Sequence, residues 1–175
     1  MPIIAKASKP FEPCPPGPQQ AVCVDVIDLG ILTSIYPDEK TGEPKKQHKI
    51  DIVWQSAELM KDERPYIAKK RYTLSLHEKA SLRHDLESWR GRQFTDNEAE
   101  GFDVEKLLGA NCILNIAHKT GSKGVTFANV VSIMPLMKGQ QRIEATTDYV
   151  RVCDRREPGA EDAPETAPND DDIPF

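Results

Sequence analysis

Residues 66–91 read YIAKKRYTLSLHEKASLRHDLESWRG, and within this stretch the apolar period changes. Tyr72, Leu74 and Leu76 alternate with other side chains, the period of a strand. From there Leu82, Leu86 and Trp89 fall at i, i+4 and i+7, the spacing of one helix face. Ser75 and Glu78 have the separation of a capping box, and Gly91 is placed to stop the helix. A strand that hands over to a helix here constrains every element on either side.

Upstream, AVCVDVIDLGILTSIY (21–36) is long and β-branched with Gly30 at a bulge or bend, and HKIDIVWQS (48–56) alternates. Downstream, Thr95 and Glu98 offer a second capping box, and Asp103 and Gly109 enclose VEKLL. Two more strands follow, ANCILNIAHK (110–119) and VTFANVVSIM (125–134), joined by the turn TGSKG. Three strands, a helical insertion between the third and fourth, and a final hairpin make a mainly β chain with the element order of a five-stranded OB-fold barrel. Other small α+β or barrel domains share that order. No internal repeat is visible.

At 175 residues the chain suits one domain with appendages. Pro10, Pro13, Pro15, Pro16 and Pro18 crowd residues 1–20, which reads as an extended N-terminal arm. The domain then occupies 21–153. Residues 154–175 mix acids, alanines and prolines, with Ile173 and Phe175 as the large apolar side chains near the end, and read as a disordered acidic tail. The formal charge of −5 is unevenly spread: seven acids and no Lys or Arg lie between Glu157 and Phe175, leaving 23 basic and 21 acidic residues before them. The body is mildly basic and the tail acidic.

Cys14, Cys23, Cys112 and Cys153 form no CxxC pair and have no histidine at zinc-ligand spacing, which argues for reduced thiols over a metal site or disulfide framework. No apolar run approaches membrane-spanning length and the N-terminus lacks a signal-type apolar region, so a cytoplasmic location without membrane attachment is expected.

Two resemblances bear on function. The ending DDDIPF (170–175) resembles the acidic tip of bacterial single-stranded DNA-binding proteins, OB-fold proteins whose tails recruit replication and repair enzymes. The stretch YTLSLHEKASLRHDLESWRGRQFTDNEAEGFDVEKLLGANCILNIAH with VTFANVVSIMP resembles a family of phage-encoded OB-fold proteins that bind single-stranded DNA, over roughly residues 22–135. The resemblance implies binding of single-stranded DNA without sequence preference in replication or recombination. It also implies a tip, Asp170, Asp171, Asp172, Ile173, Pro174 and Phe175, that docks on host replication and repair proteins. A terminal Phe offers a ring and a carboxylate together, the aspartates speed encounter with a basic rim, and Pro174 limits the freedom lost on docking. A second copy of the chain is also a candidate partner. The competing reading is an interaction protein whose mimic tail occupies host repair enzymes, with a barrel that binds no DNA.

Single-strand binding needs cations for phosphates and rings on which bases stack. Lys40, Lys45, Lys46 and Lys49 cluster between the first two strands, Lys119 and Lys123 in the last hairpin, and Lys69, Lys70 and Arg71 on strand three. The candidate stacking rings are Trp54, Tyr66, Tyr72 and Phe127. Strict alternation points Trp54, Tyr72 and Phe127 inward, and core packing is the stronger reading for Tyr72 and Phe127. Trp54 at a strand end, with Tyr66 and Tyr36 near boundaries, sits where alternation fails most easily. Trp89 belongs to the helix's core stripe.

Enzymatic readings are weaker, and no enzyme, cofactor or metal is expected. PDEKTGEPK (37–45) has the residue order of a PD-(D/E)xK nuclease, but both acids fall in one short loop with Pro44 inside the second half-motif. HKTGSKG lacks phosphate-loop spacing, and no histidine has a nucleophile arranged beside it.

Overall fold

β1 (Gly17–Pro37) is long enough to serve two partners. In a computed structural model describing residues 12–155, its first residues pair antiparallel with β4 (Asn111–Thr120), from Gly17 opposite Ile116 to Val22 opposite Asn111. From Ala21 opposite Ser56 onward it pairs with β2 (Pro44–Leu59). β3 (Pro65–Thr73) joins β2, and β5 (Thr126–Met134) joins β4. One antiparallel sheet results, in the order β3-β2-β1-β4-β5, and its edge strands β3 and β5 approach within 8 Å between Cα atoms. Between β3 and β4 lie α1 (Ser81–Arg90), α2 (Asp96–Glu100) and a 3₁₀ turn at Val104–Leu107. The mainly β chain with five strands and helices after the third is thus present. The arm is shorter than read: β1 begins at Gly17, and Cys14 and Gln19 are already buried. Residues 1–11 and the acidic segment from 156 lie outside the described residues. Among the described residues no helix is long and apolar enough to cross a membrane.

The inner sheet face carries the core. Cys23, Ile50, Ile52, Trp54, Tyr72, Leu114 and Ile133 pack against Leu82, Leu86 and Trp89 of α1, with the Trp54 and Trp89 rings 6.0 Å apart. Gly91, at φ 69°, ends α1 in the left-handed conformation. Thr95 and Glu98 form the reciprocal capping box, and Glu98 also binds Arg90 at 2.7 Å and Arg92 at 3.0 Å. The Thr95 amide, then Arg90, hold the Glu98 carboxyl down to about 2. The first capping box does not form. Ser75 Oγ accepts from the His77 amide, and α1 starts later, after Ala80. The reason is that Leu74 is still bonded to the sheet, its amide donating to His48 O at 2.8 Å, so a turn must intervene. Cys14, Cys23, Cys112 and exposed Cys153 are free thiols, and burial pushes Cys23 up to about 12.

The segment 135–155, which carries no periodic signal, runs back as a strap over the outer face of β1 and β2. Val22 faces outward by alternation and a bulge at Val24 turns Asp25 outward too, and Val22, Val24 and Val53 pack with Ile143 and Tyr149. Asn111 brackets Ile143, accepting from its amide and donating to its carbonyl, both at 2.9 Å. Gln55 does the same for Thr146, accepting from the amide at 2.8 Å and donating to Oγ1 at 2.9 Å. Asp25, 1% exposed, accepts from the Val152 amide at 2.8 Å, Tyr149 OH at 3.1 Å and Arg151 Nε at 3.3 Å. Asp25→Ala leaves these donors unpaired and should cost roughly 3 kcal/mol, read as a lowered urea midpoint. An unfolding free energy within about 0.5 kcal/mol of the unaltered chain would show that the strap is held by other contacts.

Candidate nucleic-acid interface

Alternation along β3 gives its two sides different chemistry. Ala68, Lys70 and Tyr72 face the core and α1; Ile67, Lys69, Arg71 and Thr73 face outward. On β2 the outward partners are Gln55, Val53, Asp51 and Lys49. Asp51, with a side chain 2% exposed, accepts from Arg71 Nε at 2.8 Å and Nη2 at 3.0 Å, and Lys69 Nζ lies 3.5 Å away. The two-pronged Arg71 bond, ahead of the cost of burial, holds the Asp51 carboxyl below its ordinary range. Lys69 and Arg71 remain more than half exposed, so this patch presents two cations to solvent over one buried anion. Lys49 Nζ donates to Thr73 Oγ1 at 2.6 Å and extends the row.

Lys70 does not belong to this face. Its Nζ lies 2.6 Å from Asp85 Oδ2, which also accepts from Tyr72 OH at 2.7 Å, so Lys70 ties β3 to α1. Three candidate rings are likewise corrected. Trp54 is fully buried, Tyr72 lies in the core, and Tyr66 is buried with its OH donating to Glu12 Oε1 at 2.8 Å. None of the three presents a face to a base.

Phe127 goes the other way. Val131 is an extra residue in β5, inserted between the pairs Val130–Ile116 and Ser132–Asn115, so alternation restarts there. Val130 and Ile133 both point inward, and Phe127, half exposed, points outward with Val131. Its ring lies over Gly121, where an added Cβ would meet ring Cε2 at 3.0 Å. Phe127 sits opposite Lys119, and Lys119 and Lys123 are exposed on the same hairpin. The bare backbone at Gly121 is therefore what leaves room for the Phe127 ring beside the hairpin turn.

The β1–β2 hairpin supplies a further group. Past a bulge at Leu29 and Gly30, Ile31, Ile35 and Tyr36 are each at least 70% exposed, and Lys45 and Lys46 lie on the returning strand. Tyr36, noted in the sequence for its place near a boundary but not counted among the stacking candidates, lies at the end of β1 with its ring exposed. In the hairpin turn Asp38 Oδ1 accepts from the Lys40 amide at 2.8 Å. Among the described residues no group of three or more His, Cys, Asp or Glu could hold a metal ion. The residues Asp170 to Phe175 lie outside the described residues. Comparison of the chain with protein-family models and with curated proteins finds no match.

The Asp51 cluster has a pH signature. Its carboxyl is depressed in the folded state, so its stabilisation is present above the ordinary carboxylate pKa of about 4 and is lost as pH falls through the lower folded value. Asp51→Asn should therefore flatten the acid limb of a stability-against-pH curve measured by urea unfolding. An unchanged acid limb would remove Asp51 from the linkage.

Proposed function

We propose that the chain is a single-stranded DNA-binding protein on an OB-fold barrel, of the kind encoded by phages, acting without sequence preference in replication or recombination. The observation that carries this reading is the division of the outer sheet surface. The strap covers the apolar strip on β1 and β2, while β3 and the hairpins display Lys69, Arg71, Lys45, Lys46, Lys119 and Lys123 beside the open rings of Phe127 and Tyr36. Cations on paired strands with rings at the margins suit a phosphate backbone whose bases stack as they pass. The approach of β3 to β5 supports a sheet that closes on itself as an OB-fold does. The acidic run with Ile173 and Phe175 supplies the second half of the proposal, a docking element for host replication and repair enzymes in the cytoplasm of the host cell.

Titration with labelled oligothymidine should show affinity falling steeply with salt. Lys69→Ala leaves the Arg71–Asp51 pair intact and should reduce the slope of log K against log salt by about 0.7, one single-strand phosphate contact. Phe127→Ala should weaken binding by about 1–3 kcal/mol, the worth of one stacked base. Absence of binding at low salt would overturn the DNA reading and favour the interaction protein. Phe175→Ala should abolish capture of host enzymes that recognise acidic tips while leaving oligothymidine affinity nearly unchanged. Equal capture by this variant would reduce the segment to a solubilising charge.

A further inference from the structure

The C-terminal end of α1, the 3₁₀ turn and the start of the strap enclose a cavity of about 540 Å³. Its walls join rings to cations: Trp89 and Phe102 stand with Arg90, Lys106 and Arg142, and among the described residues no carboxylate lines it. Lys106 and Arg142 make no ion pair among the described residues. Arg90 is held in place, its Nη2 donating to Glu98 Oε1 at 2.7 Å and its guanidinium lying 4.4 Å over Phe94 and 5.8 Å from Phe102. Among the described residues that arrangement leaves Nη1 buried without a partner. Gln140 is fixed in the same way. Its Nε2 donates to Gln20 Oε1 at 3.0 Å, and its own Oε1 is buried and unpaired. Both atoms are shut off from solvent, so it is other parts of Arg90 and Gln140 that face the cavity.

A fitting occupant has negative charge for Lys106 and Arg142 and a flat apolar body for Phe102. We propose that this cavity binds one nucleotide, its phosphate at Lys106 and Arg142 and its base against Phe102. The cavity volume lies in the range of small-ligand sites. The choice of a nucleotide over another aromatic anion rests on the nucleic-acid reading above, yet the site shares no residue with the Lys69 and Phe127 surface.

The test is nuclear magnetic resonance on the full chain, following the Trp89 indole N–H, which donates to Asn111 O at 2.9 Å, and the Phe102 amide. Thymidine monophosphate should move both signals saturably, whereas thymidine alone or inorganic phosphate alone should require at least about tenfold more ligand. Arg142→Glu, and independently Lys106→Glu, should weaken the monophosphate response by about tenfold or more. A monophosphate that moves neither signal overturns the proposal. So does phosphate that matches it, which would leave an anion site only. A shift of the same signals on Phe175→Ala without nucleotide would assign the cavity to the chain's own acidic segment and also overturn it. Failure of the outer-surface reading looks different: oligothymidine would not bind, while the monophosphate would still move Trp89.

Discussion

One inserted residue in β1 controls which side of the sheet holds charge. Without the bulge at Val24, Asp25 would continue the alternation begun by Ala21 and Cys23 and enter the core with a carboxylate facing Trp54 and Leu114. The insertion turns it outward, next to Val53, where a buried charge still needs several donors. The strap meets that need with a backbone amide, a phenol and a guanidinium, and it covers Val22 and Val24 in the same step. Because the strap occupies the β1 side, the exposed cations are left to β3 and the hairpins.

The charge pattern of β3 is likewise a matter of local pairing. Lys69 and Arg71 flank the same buried anion, so their combined field is weaker than two free cations and their positions are more exact. The Arg71 fork is already oriented by Asp51, so its side-chain freedom is spent within the fold. Lys69, at the longer distance, is the more readily lent to a ligand.

What could be read from the sequence was what neighbouring residues decide among themselves. Thr95 with Glu98, Gly91 after α1 and the turn between β4 and β5 depend on a few residues each, and all are where the spacing put them. Lys70 was misplaced in the cationic row, although its shared parity with Ala68 and Tyr72 already pointed it toward α1. Phe127 was not legible, because one inserted residue at Val131 reverses every side chain before it and no pattern in VTFANVVSIM marks the insertion. The strap left still less trace. Its bonds join residues up to 127 positions apart, and each is an isolated contact, some to a backbone group and some to another side chain.

That separation has a kinetic meaning. β1 and β2 can pair early, since a short hairpin joins them, but Asp25 stays without its partners until the last quarter of the chain has been made and brought back. Closing so long a loop is slow and gains nothing until the final contacts form. In the interval Val22, Val24 and Val53 form an uncovered strip on a growing sheet, a surface on which two immature copies would adhere. The strap is therefore a late step in maturation, and the chain's vulnerability to self-association is concentrated in the time before it closes.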